Sequence, residues 1–340
     1  MLLIFYNSHF FVFEYKESVI KLYLRFMKKL RLLLFPFAGL YYLVTYVRNK
    51  FFDNGILSFK TYETPVICIG NLSTGGTGKS PMTEYVIRLL KKDYKVATLS
   101  RGYGRTTKGY LDVVQDAIAS QVGDEPLQFA QKFNDVRVAV CENRQLGIAT
   151  LLKKTNAPGV IILDDAFQHR KVKAGFYILL TSYDDLYSDD FLLPAGNLRE
   201  PRHGSFRANS IVVTKCPENL SSQDQQEIEK KLKLADHQSL YFAKIRYNEM
   251  LHSKDGMISL DAIQDKKVSV VTGIANPSLF LNYLTGKNVA YKHKSYPDHH
   301  NFTDKEIVEL DALDFIITTE KDYVRSVSYT HLTLPTTPYV

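Results

Sequence analysis

Residues 70–81 read G-N-L-S-T-G-G-T-G-K-S-P and follow directly on the apolar run 64–69. A strand that runs into a glycine-rich loop ending in Lys-Ser has few ways to fold, because such a loop wraps its own N–H groups around an anion. Gly75, Gly76 and Gly78 have no Cβ, so the backbone can turn those groups inward. Ser73, Thr74 and Thr77 complete the loop, Lys79 reaches the β- and γ-phosphates as a point charge, and the Ser80 hydroxyl ligates Mg²⁺. The helical pattern 82–92 then points its positive end at the same phosphates. The strict pattern G-x-x-x-x-G-K-[ST] has Gly where this chain has Ser73. The strand–loop–helix context still favours a nucleotide-binding loop over an ordinary glycine-rich turn.

A second element supports that reading. Residues 160–165, V-I-I-L-D-D, form a continuous apolar run ending in two carboxylates. A parallel strand buried on both faces has this composition, and its C-terminal end faces the ligand in doubly wound sheets. Asp164 and Asp165 are therefore candidates for holding Mg²⁺, directly or through water, with the choice between them open.

The rest of the chain alternates in the same way. Strand patterns at 65–69, 95–99, 136–140, 160–164, 176–181 and 210–214 are separated by helical patterns at 82–92, 125–133, 144–153 and 223–233. This predicts an α/β fold with a mostly parallel, doubly wound sheet like that of P-loop NTPases. Strands at 268–273, 289–292 and 315–318 and helices at 277–285 and 303–311 predict a smaller C-terminal α/β lobe, joined through 241–248. The expected organisation is a kinase-type core over 55–240 and that lobe over 241–325. Cys68, Cys141 and Cys216 are far apart and without zinc spacing, so they read as reduced thiols.

The N-terminal segment is of another kind. The net charge is +7, and residues 1–50 hold eight Lys and Arg against two Glu. The excess thus sits beside the most apolar stretch, which suggests anionic lipid and no nucleic acid. That stretch, 32–47, has 16 residues, short of the ~20 that cross a bilayer as a helix. Cations flank it, and Tyr41, Tyr42 and Tyr46 suit a membrane–water interface. Residues 27–54 are therefore expected to form a membrane-associated helix lying at the interface. Deleting residues 1–50 is expected to release the protein from vesicles and to leave ATP binding at Lys79 little changed. Residues 1–26 are expected to lie upstream of a native start at Met27, and residues 326–340, which read like adapter read-through, are given no part in the fold.

Further polar signatures lie between these elements. They are S-R-G-Y-G-R at 100–105, G-D-E-P at 123–126, D-D-A-F-Q-H at 164–169, L-P-A-G-N-L-R-E-P at 193–201, P-D-H-H at 297–300 and T-E-K-D at 319–322. With the phosphate loop, and in this order, they resemble the tetraacyldisaccharide 4′-kinase family, the lipid A 4′-kinases of Gram-negative bacteria. The resemblance runs from about Met27 to Arg325. Ser80, Ala166 and Asn197 stand where Thr, Gly and Pro are commoner in the family.

The resemblance implies transfer of the γ-phosphate of ATP, with Mg²⁺, to the 4′-hydroxyl of a tetraacyldisaccharide 1-phosphate. It implies work at the cytoplasmic face of the inner membrane. By the same resemblance Asp124 is the base that accepts the hydroxyl proton, supported by His299 rather than His300. Glu125, Gln168 and His169 are then expected near the metal or phosphates. Arg101, Tyr103, Arg199 and Glu200 are expected to border the acceptor sugar or its 1-phosphate, with a surface ion pair as the alternative for Arg199 and Glu200. Two other readings compete. One is another P-loop enzyme, a GTPase or a metallochaperone ATPase; a GTPase would be expected to show an N-K-x-D-type base-reading motif, and V-T-K-C-P at 213–217 has only the lysine. A membrane-docked adaptor without catalysis has no need of Lys79, Asp124, Asp164 and His299 together.

Overall fold

Branched aliphatic runs build one eight-stranded sheet. Its strands are β1 (Val66–Asn71), β2 (Val96–Ser100), β3 (Leu111–Asp112), β4 (Arg137–Val140), β5 (Val160–Leu163), β6 (Phe176–Ser182), β7 (Ser210–Thr214) and β8 (Ser239–Phe242). The computed structural model describes residues 30–248, 250–253, 256–274, 276–298, 300, 302–326 and 334–335. The order is β3-β4-β2-β5-β1-β6-β7-β8, parallel except for the β3 edge. From β1 the chain first builds the β2 side and later returns across it to β6, so β1 lies at the switch point where ligands bind. Helices α1 (Phe35–Asp53), α2 (Lys79–Leu90), α3 (Asp124–Lys132), α4 (Arg144–Lys153) and α5 (Ser222–Leu232) accompany this sheet.

Both faces of the sheet are covered, which is why its strands read as unbroken apolar runs. Along β5, Val160 and Ile162 pack in one core with Ile87, Leu127 and Phe129, while Ile161 and Leu163 pack in the other with Leu99, Ile148 and Leu151. The three cysteines are buried and unpaired, and burial pushes the Cys68 thiol up to about 12.

The second lobe centres on β11 (Val268–Thr272), which pairs in parallel with β12 (Tyr291–Ser295) and β13 (Phe315–Thr318). Helices α6 (Ser278–Gly286), α7 (Asp304–Asp311) and α8 (Glu320–Ser326) complete it. Two boundaries differ from the sequence reading. Tyr241 belongs to β8 of the main sheet, paired with Val212 of β7. The strand expected at 289–292 starts at Tyr291, because the Val289 N–H returns to the Leu284 carbonyl and its side chain is buried. A hairpin of β9 (Met250–Ser253) and β10 (Gly256–Ser259) was invisible to pattern reading. The strand β14 (Leu334–Pro335) pairs antiparallel with Leu251 and His252, which corrects the expectation that 326–340 has no part in the fold.

Helix α1 is inside out compared with a water-soluble surface helix. Its inward positions Ala38, Thr45, Asn49 and Phe52 are buried at helical spacing, with the part-buried Tyr41 in the same stripe. Its outer stripe, Leu33 just before it and then Phe37, Leu40 and Val44, is 59–73% exposed. Among the described residues no helix is long and apolar enough to cross a membrane.

Candidate active site

The site is assembled at the C-terminal ends of β1, β2, β4 and β5. The phosphate loop leaves β1 with left-handed turns at Gly75 (φ 113°) and Gly78 (φ 82°), and α2 starts at Lys79 without a side-chain cap. Its leading N–H groups therefore remain available to an anion. Ser73 pairs as a β-bridge with Leu198, so its backbone is extended and no glycine is required there. The flanking bonds are Thr74 N–H to the Asn197 carbonyl (2.8 Å) and Arg199 N–H to the Leu72 carbonyl (2.7 Å). Thus the L-P-A-G-N-L-R-E-P segment lines up beside the phosphate loop. From beneath, Asn71 Nδ2 donates to Thr77 Oγ1 (2.8 Å), Thr214 Oγ1 to the Thr77 carbonyl (2.9 Å) and Lys215 Nζ to the Gly76 carbonyl (2.6 Å).

Three carboxylates converge beside this loop. Ser80 Oγ donates to Glu125 Oε1 at 2.7 Å, and Thr83 Oγ1 to Asp164 Oδ1 at 2.9 Å. Asp164 is 1% exposed; burial, then Glu125 and Asp165, push its carboxyl up to about 7. Burial would also raise Asp165, but Lys79 (3.8 Å) and Arg199 (3.0 Å) hold it below the usual carboxylate range. Asp164, held so unfavourably as an anion, is the kind of group a divalent cation relieves. Among the described residues there is no cluster of three His, Cys, Asp or Glu in metal-binding geometry. Mg²⁺ does not need one, since it takes one or two carboxylates with waters and phosphate oxygens. Ser80, Asp164 and the adjoining carboxylates fit it.

Beyond the carboxylates lies a cavity of about 490 Å³. Arg101, Tyr103, Glu125, Asp164, Asp165, Gln168, His169 and Arg199 line it, together with Glu142 and Arg144, which pattern reading passed over. Arg144 is 3% exposed, donates through Nη1 to the Cys141 carbonyl (2.8 Å), and is tucked behind Asp164 at the start of α4. Its sequence signal was a charged residue opening a helix just beyond a buried strand. His169 sits among cations: burial, then Arg144, Lys171, Arg48 and Arg101, bring its pKa down to about 4.

Glu200 does not reach the cavity. It is 2% exposed and accepts from Arg207 (2.9 Å), Gln168 (2.9 Å) and Asn49 of α1 (3.2 Å). It is therefore a buried strut rather than a sugar contact or a surface partner of Arg199, which pairs with Asp165 and Asn71 instead. Helix α1 grips the same segment through Tyr41 Oη to the Arg199 carbonyl (2.7 Å), and Arg31, just ahead of the helix, donates to the Pro194 carbonyl (3.1 Å). It is thus continuous with the wall of the site, and the expectation that ATP binding is indifferent to its removal loses its physical basis.

Asp124 opens α3 behind Gly123 (φ 93°), and α3 has no side-chain cap. A Cβ on Gly123 would stand 3.2 Å from Gly102 Cα and from the Tyr103 carbonyl oxygen. The G-D-E-P and S-R-G-Y-G-R turns thus touch backbone to backbone, which sets Glu125 and Tyr103 on one cavity. Asp124 itself receives Arg325 of α8. His299 lies outside the described residues. His300 stacks on Tyr296 (4.8 Å) and pairs with Glu306 (3.0 Å), a structural role within its own lobe.

Known proteins resemble the chain along most of its length. The tetraacyldisaccharide-1-P 4′-kinase family model matches residues 30–337. A tetraacyldisaccharide 4′-kinase of Flavobacterium johnsoniae is 53% identical over 302 residues, covering 88% of each chain. One of Phocaeicola vulgatus is 43% identical over 320 residues, covering 90% of this chain and 87% of that one. A crystal structure described as the "apo" form of LpxK from Aquifex aeolicus in complex with ATP superposes with a TM-score of 0.74 at 32% identity. That match covers 90% of this chain and 93% of the other. With a phosphate loop, an acidic strand end and a family match along nearly the whole described fold, the chain belongs to the tetraacyldisaccharide-1-P 4′-kinase family.

Proposed function

We propose that the protein transfers the γ-phosphate of ATP to the 4′-hydroxyl of a tetraacyldisaccharide 1-phosphate at the cytoplasmic face of the bacterial inner membrane. The observation that carries this reading is the Ser80–Glu125 hydrogen bond, which joins the phosphate loop to the helix start that bears Asp124. Phosphoryl transfer is catalysed mainly by position and by charge neutralisation. Lys79 and the N–H groups of the loop and of α2 supply the fixed positive side. Mg²⁺, held by Ser80 and by Asp164 or Asp165, would neutralise charge on the β- and γ-phosphates when bound. Asp124, with His299 in support, takes the proton of the 4′-hydroxyl as its oxygen bonds to the γ-phosphorus and ADP leaves. Arg101, Arg144 and Arg199 give the cavity a positive wall suited to an acceptor carrying phosphate, with Tyr103 at its rim.

The membrane part rests on α1, whose apolar outer stripe faces away from the site while its inner residues Tyr41 and Asn49 hold Arg199 and Glu200. An acceptor anchored in the bilayer then meets the cavity without leaving its lipid. The test is labelled ATP with the disaccharide acceptor in mixed micelles or vesicles. Label should appear on the 4′-oxygen, and Lys79→Ala should lower kcat by at least about 10²-fold, through loss of the nearest fixed cation. Near wild-type turnover in Lys79→Ala, or label released only as inorganic phosphate, would refute the reading.

A further inference from the structure

The T-E-K-D motif near the end of the fold has no part in the chemistry so far, yet the helix it opens reaches the proposed base. Helix α8 lies antiparallel along α3 and grips it at both ends. Glu320 at its start accepts from Lys132 Nζ (2.9 Å) at the end of α3 and from Gln128 Nε2 (3.0 Å) one turn earlier. Arg325 near its end donates to Asp124 Oδ2 through Nε at 2.7 Å, with Nη2 also 2.6 Å from that oxygen. The Arg325 side chain is 2% exposed, and its remaining nitrogen, Nη1, faces the Gly273 carbonyl (3.3 Å) and Asp322 (3.5 Å). Asp322 is fixed in turn: it is 1% exposed and accepts from Gly273 N–H (3.0 Å) and Thr319 Oγ1 (2.7 Å). The chain of contacts therefore runs from the tip of β11, through Asp322 and Arg325, to the carboxylate at the start of α3.

A carboxylate in the first turn of an uncapped helix has a competing use, which is to fold back onto that helix's own free N–H groups. A planar guanidinium that meets one oxygen with two nitrogens opposes this and restricts rotation of the carboxyl group; an ammonium cannot reproduce that fork. We propose that Arg325 is a positioning residue for the reaction: it holds the Asp124 carboxylate turned away from its own helix, in the orientation that meets the acceptor hydroxyl, and so makes the second lobe part of the proton-accepting machinery. The proposal rests on the reading of Asp124 as the base.

The experiment is a double-mutant cycle on the full chain, with kcat and the KM values for ATP and acceptor measured for R325Q, R325K, D124N and R325Q/D124N. A misplaced reacting group costs up to about 10²-fold. R325Q should therefore lower kcat by about 10–10²-fold with KM for ATP unchanged, and R325K should recover part of the loss. In the D124N background, R325Q should cost almost nothing more, because the group it orients is gone. If R325Q costs the same factor in both backgrounds, Arg325 does not act through Asp124 and the proposal falls, while a large loss in D124N alone leaves the base intact. If D124N itself keeps wild-type kcat, the reading of the base fails first. E320Q separates positioning from docking, since it loosens the same helix pair away from Asp124 and should leave kcat near wild type. A kcat loss in E320Q equal to that in R325Q would mean that only helix docking matters. Should R325Q not fold, R325K carries the test, and wild-type kcat in that variant overturns the proposal.

Discussion

His169 illustrates how far a side chain is set by its surroundings. Its pKa falls from 6.5 to about 4 through burial and then through Arg144, Lys171, Arg48 and Arg101, so the folded protein holds the ring neutral. A depressed histidine contributes stability that is present above its unfolded pKa and is lost as the pH falls through the folded one. Tm should therefore decline between about pH 6.5 and 4, and His169→Gln should remove that share of the slope. Thermal melts across this range would show a steeper wild-type curve; parallel curves for the two proteins would mean that the fold does not discriminate against the charged ring. The same cationic surroundings make the cavity receptive to an acceptor phosphate, and a charged His169 would only duplicate Arg144 and Arg199.

Helix α1 presents two chemically different faces on one element. Its outer stripe is apolar and exposed, and cations on the cytoplasmic side of a membrane each contribute roughly 1 kcal/mol near an anionic surface. Its inner stripe carries Asn49, 1% exposed, whose Nδ2 donates to the buried Glu200. Leu40→Glu with Leu43→Glu should abolish pelleting with anionic vesicles and leave activity on a detergent-dispersed acceptor largely intact. Asn49→Ala should do the reverse, because Glu200 braces Gln168 and Arg207 beside Asn71 and the phosphate loop. Vesicle co-sedimentation and acceptor titration on the two variants distinguish the faces. If both variants lose both properties, the faces are not separable. For the same reason, truncation through residue 50 should weaken ATP binding as well as membrane binding.

At the scale of the whole molecule, the phosphate loop, α3 and the second lobe are linked through bound charge. Ligands that bind only the folded state stabilise it by about 2.7 kcal/mol at about a hundredfold excess over Kd. ATP with Mg²⁺ should therefore raise Tm by several degrees, and ATP with EDTA by less, since Asp164 and its neighbours then keep their mutual repulsion. Asp164→Asn should abolish the difference between the two conditions. Equal shifts for the wild-type protein with and without Mg²⁺ would argue against a cation at Ser80 and Asp164.

Local patterns made the central sheet legible. β5 reads as buried because its alternate residues enter two separate cores, and the phosphate loop reads as such because its glycines, lysine and serine are consecutive. Asp164, Asp165, Glu125, Gln168, His169, Arg101, Tyr103 and Arg199 were all recognisable from motifs, and the fold brings them to one cavity. Tertiary structure decided what no window of sequence contains. Glu200 became a strut because side chains from three separate segments donate to it, and Arg144 entered the site because β4 ends beside β2. On the inward face of α1, Tyr41 and Asn49 find their partners, the Arg199 carbonyl and the Glu200 carboxylate, more than a hundred residues away. The Arg325–Asp124 pair spans 201 residues of chain. Periodicity is set by hydrogen bonding and burial within one element, whereas the partners of a buried charge depend on which distant elements must pack together to close the cores.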